Sequence, residues 1–221
     1  MRLAIALALL FGLCACRRRL GDEVLAQLTQ LGVLPAMEPD EIDELVSVLC
    51  GRRLRMVVEF GSGGSTLAAA ACGVAQLYSV DSSLEWLRRL NRSDVWATSP
   101  THWHSIHADI GPLLDWGQPA QNLPAQFDLY SQVHRILPPH PADVVLVDGR
   151  FRVACAVRST QLMSTNSLLL VHDYQREEYR VIERFYRLER RTRNLAVFRR
   201  AAHVNLTDWF AVVERYKHVT E

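Results

Sequence analysis

Apolar residues gather along the chain in short continuous runs, with stretches of helical spacing between them. "RMVVEF" (55–60), "AQLYSVD" (75–81), "ADVVLVDG" (142–149) and "SLLLVHD" (167–173) are too short for buried helices. They read as strands covered on both faces. "HSIHAD" (104–109) reads as a further strand. The intervening segments repeat every three or four residues. Residues 20–50 give two helices, the second opening at Pro39 and Asp40 with Ile42, Leu45, Val46 and Leu49 on one face. Further helices are expected over Thr66–Cys72, Ser83–Asn91, Val153–Met163 and, briefly, near Phe127–His134. Glu177–Leu188 reads as an amphipathic helix through Tyr179, Ile182, Phe185 and Tyr186. "LAVFRR" (195–200) and "DWFAVVERY" (208–216) read as two last strands. Their separation is too short for a helical crossover, so they should pair antiparallel.

Strands alternating with helices predict an α/β domain: a doubly wound, mostly parallel, Rossmann-like sheet closed by an antiparallel C-terminal hairpin. The expected organisation is an apolar segment at 1–19, N-terminal helices over 20–54 and the nucleotide-binding domain over 55–221. In such sheets a ligand lies beyond the C-terminal strand ends. Glu59, Asp81, Asp109, Asp148 and Asp173 all fall at or next to strand ends, which predicts a polar rim on an otherwise apolar sheet.

Residues 3–16, "LAIALALLFGLCAC", are uninterrupted apolar, preceded by Arg2 and followed by Arg17, Arg18 and Arg19. As a helix this stretch rises about 21 Å, short of the roughly 30 Å of a bilayer core. The arginines place that flank on the cytosolic side under the positive-inside rule, giving membrane association with a cytosolic domain. The alternative is a signal peptide cleaved in the secretory pathway. "NRS" at Asn91 and "NLT" at Asn205 are glycosylation sequons only in that alternative. A net charge of +1 gives no electrostatic case for a nucleic-acid partner. The five cysteines contain no CxxC pair and are expected as buried or neutral thiols, neither a disulfide framework nor a zinc site.

The run "VVEFGSGGSTLAAA" (57–70) is a strand, a glycine turn and a helix start, the arrangement that holds nucleotides. No Lys follows the glycines in the GK[ST] arrangement, so the turn is not a phosphate loop. The dinucleotide fingerprint is half present, with Gly61 and Gly63 in place and Thr66 where a third glycine or alanine belongs. Glu59 tips the balance, because a carboxylate by the turn repels a pyrophosphate and suits a cationic ligand. S-adenosylmethionine carries a sulfonium and an ammonium and no phosphate. Asp81 ends the next strand, where an acidic side chain accepts from both ribose hydroxyls.

On these residues the chain resembles the class I S-adenosylmethionine-dependent methyltransferases. The pieces that carry the resemblance are "EFGSGGS" (59–65), "SVD" (79–81), "HAD" (107–109), "VVLVDG" (144–149) and "LLLVHD" (168–173). It implies that Glu59, Gly61, Ser62, Gly63 and Ser65 form the cofactor turn. Asp81 and Ser82 would flank the ribose, and Asp109 would contact the adenine amine.

Methyl transfer needs an oriented acceptor and, for a hydroxyl, a group to take its proton. Asp148, His172 and Asp173 lie at neighbouring strand ends and are the candidate catalytic residues, with His172 as general base. Small-molecule O-methyltransferases resemble this arrangement, and some hold a divalent metal on two such aspartates and an Asn. Here Tyr174 stands in place of that Asn, so Mg²⁺ on Asp148 and Asp173 is an option and a metal-free site is the expectation. On a strand His102 and His104 share a face and His107 points away, so they do not make a metal site. Arg150 and Arg152 follow the strand end and could meet an anionic substrate, but the leading reading has them solvated. The leading reading is methyl transfer to a small-molecule acceptor, at a hydroxyl oxygen. The alternatives are a non-catalytic nucleotide-binding protein and, disfavoured by Glu59 and Thr66, an NAD(P)-dependent oxidoreductase.

Overall fold

The computed structural model of the chain describes residues 21–220. Its frame is a seven-stranded sheet of β1 (Met56–Phe60), β2 (Gln76–Asp81), β3 (His102–His107), β4 (Ala142–Val147), β5 (Met163–Val171), β6 (Tyr186–Thr192) and β7 (Leu195–Arg200). The order across the sheet is β3-β2-β1-β4-β5-β7-β6. β1 to β5 run parallel, and β7 is antiparallel to both β5 and β6. The order reverses between β1 and β4, which opens a crevice at their C-terminal ends.

α1 (residues 21–31), α2 (Pro39–Cys50), α3 (Gly64–Ala71) and α4 (Leu84–Leu90) lie against one side of the sheet. Val24, Leu28, Leu45 and Leu49 pack there with Val57, Leu77 and Val144, so the N-terminal helices and the sheet share a core. α5 (Pro124–Ser131), α6 (Arg152–Ser159) and α7 (Leu206–Tyr216) cover the other side, with Phe127, Phe151, Val153 and Trp209 packed on Val58, Val145 and Leu169. Each such Leu, Val or Phe taken out of water contributes roughly 1.5–3 kcal/mol. With both faces covered, the central strands carry the unbroken apolar runs seen in the sequence.

The C-terminal third differs from expectation in detail. The antiparallel hairpin closes the sheet, but it joins β6 to β7 through Arg193 and Asn194, and 208–216 is helical. The reason lies at Asn205, whose side chain accepts from the Asp208 N–H and starts a helix that buries Trp209, Val212 and Val213 on one face. The segment Glu177–Arg184 is a 3₁₀ helix. Tyr179, Ile182 and Phe185 are spaced by three, the period of that tighter helix, and all three are buried. Tyr186 then opens an edge strand instead of ending a helix.

The free-thiol expectation also fails in part. Cys50 and Cys72, at the ends of α2 and α3, form a disulfide, and Cys155 is a buried free thiol. Spacing alone does not bring these positions together; the packing of α2 on α3 does. The apolar stretch 3–16 lies outside the described residues, and the anchor or signal expectation with it. Among the described residues no helix is long and apolar enough to cross a membrane.

Candidate active site

Between β1 and α3 the backbone passes through Gly61 at φ +93°, a conformation open to glycine. The Gly61 N–H donates to the Val80 carbonyl at 2.8 Å, tying the turn to β2. On the β4 side the approach is closer still: a Cβ on Gly61 would lie 2.6 Å from the Gly149 Cα. Gly64 is pressed against Leu34 and Pro35 of the α1–α2 connection, whereas nothing lies within 4 Å of where a Gly63 side chain would begin. The turn is thus clamped on three sides and open at Gly63.

Glu59 lies beneath this turn and is buried. It accepts from Ser65 Oγ at 3.0 Å, Thr66 Oγ1 at 2.5 Å and Ser79 Oγ at 2.6 Å. Thr66 in turn accepts from the Gly63 N–H at 2.9 Å. The departure from the dinucleotide fingerprint therefore has a structural use, since a third glycine would lose the hydroxyl that joins turn to strand. Burial pushes the Glu59 pKa up to about 7, against the three hydroxyl bonds and helped by the charge of Asp81. The native state keeps a proton that the unfolded chain releases near 4.5, so stability should fall as pH rises from 4.5 to 7. At 1.36 kcal/mol per pKa unit the loss approaches about 3 kcal/mol. Urea titrations from pH 4.5 to 8 should show this slope, and Glu59→Gln should flatten it. A variant that kept the full slope would place the titrating group elsewhere.

Asp81 bridges two backbone turns, accepting from the Ser62 N–H and the Ser83 N–H at 2.8 Å each. Burial raises its pKa, against these N–H donors and His107. Ser62 Oγ is buried beside it and has no hydrogen-bond partner. The Ser62 carbonyl takes the Trp86 indole N–H at 2.7 Å. Ser82 is buried, its carbonyl 3.0 Å from His107 Nε2 and its hydroxyl 3.4 Å from the Gly117 carbonyl. Asp109 is exposed beyond the end of β3 and accepts from the Gly111 N–H. Ser65, by contrast, points down at Glu59 rather than up from the turn. These residues fit S-adenosylmethionine: a carboxylate with spare lone pairs for a diol, an orphaned hydroxyl and an open glycine.

The second half of the site stands at the ends of β4 and β5. His172 Nδ1 is 2.8 Å from Asp148 Oδ1, and its Nε2 is 3.4 Å from Glu41 Oε2. Burial pulls the imidazole pKa down, but the hydrogen bond and charge of Asp148 and the charge of Asp173 outweigh it, so the net shift is upward. Glu41 reaches the site from the first turn of α2 and is itself held by the Asn194 N–H at 2.6 Å and the Glu38 N–H at 2.9 Å. A cavity of about 280 Å³ opens beside His172, Asp173, Glu41 and Asn194. Asp173 at φ 57° and Phe151 at φ 54° hold left-handed backbone just past the two strand ends. Such conformations in non-glycine residues concentrate at functional sites.

Arg152 is buried, contrary to expectation, and its guanidinium lies between the two aspartates. It is 3.3 Å from Asp148 Oδ1 and 2.9 Å from Asp173 Oδ2, and it also donates to the carbonyls of Asp148, Gly149 and His172. Against the burial that would raise it, Arg152, His172 and Arg176 lower the Asp173 pKa and keep it ionised. The Mg²⁺ arrangement considered for Asp148 and Asp173 does not fit, because a guanidinium fills the position between them. Among the described residues no group of three or more His, Cys, Asp or Glu side chains is arranged to hold a metal ion. Of the three histidines of β3, His102 and His104 are exposed, and His104 stacks on Tyr78.

Glu41 and Asn194 belong to this site without any expectation from the sequence, and Arg152 enters it as the partner of two aspartates instead of as a contact for an anionic substrate. The only sequence trace of Glu41 is its place in the first turn of a helix, which reads equally well as a cap.

No protein-family model matches the chain, and no curated protein does. Among solved structures, a methyltransferase-like protein from Silicibacter pomeroyi is 29% identical, with a TM-score of 0.74 over 84% of this chain and 97% of that one. A putative methyltransferase complexed with SAH matches at 12% identity and TM-score 0.50, over 73% of this chain and 49% of that one, and shows the fold alone. The fold is that of the class I S-adenosylmethionine-dependent methyltransferases. The resemblance read from residues 59–65, 79–81 and 144–149 is to that same superfamily.

Proposed function

We propose that this chain transfers a methyl group from S-adenosylmethionine to a hydroxyl oxygen of a small-molecule acceptor. The observation that carries this reading is Asp81, a largely buried carboxylate spanning the Ser62 and Ser83 amides in the crevice beside the Asp148–His172 pair. Bound there, the cofactor would supply an electrophilic methyl group on sulfur. Asp81 and Ser62 would hold the ribose side, and the open position at Gly63 would admit the methionine end.

The acceptor meets Asp148 before His172. Both ring nitrogens of His172 already face carboxylates, whereas Asp148 spends Oδ1 on His172 and Arg152 and leaves Oδ2 for a hydroxyl. Asp148 orients that hydroxyl, and the proton passes to His172, whose ring Asp148 holds at 2.8 Å. Asp173, kept ionised by its arginines, positions Arg152 instead of accepting the proton. Glu59 acts one layer below, on the shape of the turn.

Calorimetric titration with S-adenosylhomocysteine and with NAD(P) tests the cofactor. Binding of NAD(P) alone would favour the oxidoreductase alternative. Asp81→Ala removes a charged acceptor from two hydroxyls, each such bond contributing roughly 1.5–3 kcal/mol. Affinity for S-adenosylhomocysteine should fall about ten- to a hundredfold. A folded mutant with unchanged affinity would remove Asp81 from the site. Turnover over a panel of hydroxyl acceptors separates the enzyme from the non-catalytic alternative.

A further inference from the structure

The chain contains two Asn-X-Ser/Thr triplets, Asn91-Arg92-Ser93 and Asn205-Leu206-Thr207, and the methyl-transfer site uses neither. Both asparagines are exposed. We propose that Asn91 and Asn205 are N-glycan acceptors, in a domain that folds inside an oxidising secretory lumen.

The compartment follows from Cys50 and Cys72. Crosslinks of this kind persist in oxidising compartments and are rare in reducing cytosol. This one joins the ends of two packed helices, and Cys50 is 5% exposed, so the bond belongs to folding and not to a surface event afterwards. The two thiols give up two protons and two electrons to a disulfide-bearing oxidoreductase of the lumen, and the S–S bond forms. The apolar 3–16 run, preceded by Arg2, has the length of a secretory signal core.

The placement of the asparagines suits a bulky substituent. α4 starts at the crevice end of β2 and runs away from it, and Asn91 follows its last residue. β7 is antiparallel to β5, so it ends at the edge of the sheet opposite the crevice, and Asn205 lies just beyond it at the start of α7. Glycans at these points leave the cofactor crevice clear. The chemistry at Asn205 is compatible as well. Its Oδ1 accepts from the Asp208 N–H at 3.1 Å, while the glycan attaches at Nδ2, so the helix cap survives. Beside it Leu206 and Phe210 are 68% and 60% exposed on one side of α7, an apolar patch that a glycan would shield. In the transfer, Asn Nδ2 attacks the anomeric carbon of a lipid-pyrophosphate-linked oligosaccharide. The N–C bond forms, the C–O bond to the pyrophosphate breaks, the lipid pyrophosphate leaves and Nδ2 loses a proton.

The test is expression of the full chain, with its own N-terminal segment, in cultured eukaryotic cells. Peptide-N-glycosidase should remove two steps of mass. Asn91→Gln and Asn205→Gln should each abolish one step, without loss of S-adenosylhomocysteine binding where the wild type binds it. Alkylation of the denatured, unreduced protein should leave Cys50 and Cys72 unmodified and linked in one peptide pair. Glycosidase-insensitive protein overturns the proposal, and a single step overturns it for the asparagine that stays bare. Alkylation of Cys50 and Cys72 without reduction overturns the lumenal origin. All three readouts are independent of methyl transfer, so the two readings stand or fall separately.

Discussion

Arg152→Met should destabilise the domain by about 3–5 kcal/mol, because it leaves buried partners of a charged group uncompensated. The guanidinium holds the Asp148 and Asp173 carboxylates and three carbonyls at once, and methionine replaces its volume without any of its donors. The two aspartate side chains keep 23% of their exposure, so the lower end of that range is expected. For a domain of this size the melting temperature should drop by roughly 6–12 °C. Arg152→Lys should rescue little, since one ammonium cannot reproduce the planar fork that spans both carboxylates. Differential scanning calorimetry of the three proteins decides it. A wild-type melt for Arg152→Met would mean that the aspartates need no guanidinium between them.

The largest kinetic effect should come from His172. His172→Gln keeps a hydrogen-bond donor for Asp148 but no proton that titrates. Turnover should fall about 10²- to 10⁴-fold, the usual range for removing an acid–base group. Binding of S-adenosylhomocysteine should stay close to wild type, because Asp81 and the glycine turn are untouched. The wild-type rate should rise with pH as His172 loses its proton. The midpoint should lie above 6.5, since the carboxylates around the ring outweigh the downward pull of burial. In His172→Gln that limb should vanish. A profile of unchanged shape and height would leave His172 a purely structural group and pass the chemistry to Asp148 alone.

Much of this site was legible because its scaffold is repetitive. Strands covered on both faces leave runs such as "VVLV" with no polar interruption, and the residue after each run falls at the crevice by geometry alone. Asp81, Asp148 and His172 are visible for that reason. The sequence puts Glu59 on its strand but not its partners: as the next-to-last residue of β1 it faces hydroxyls of α3 and β2 under the turn. Arg152 looked solvated because arginines after strands usually are, and only the close spacing of β4 and β5 puts two carboxylates on it. Residues 186–188, expected as helix, are strand, and 208–216, expected as strand, are helix. An exposed edge strand full of arginine loses its period-two signal, and a short capped helix rich in Val, Trp and Phe imitates a strand. The Cys50–Cys72 pair depends on how two helices pack, which no local pattern records.

Glu41 has a consequence for engineering and for divergence. It sits on a helix that precedes the first strand, yet its carboxylate faces His172 at 3.4 Å, and the connection before that helix presses on Gly64. Trimming the chain to its nucleotide-binding core would therefore cut through the candidate site. Grafting the leading helices of a distant homologue onto this sheet would change the electrostatics at the imidazole and the roof over the glycine turn in one step. Acceptor preference in such chimaeras should then travel with the first fifty-odd residues, a stretch that a boundary drawn at the first strand would discard as an accessory.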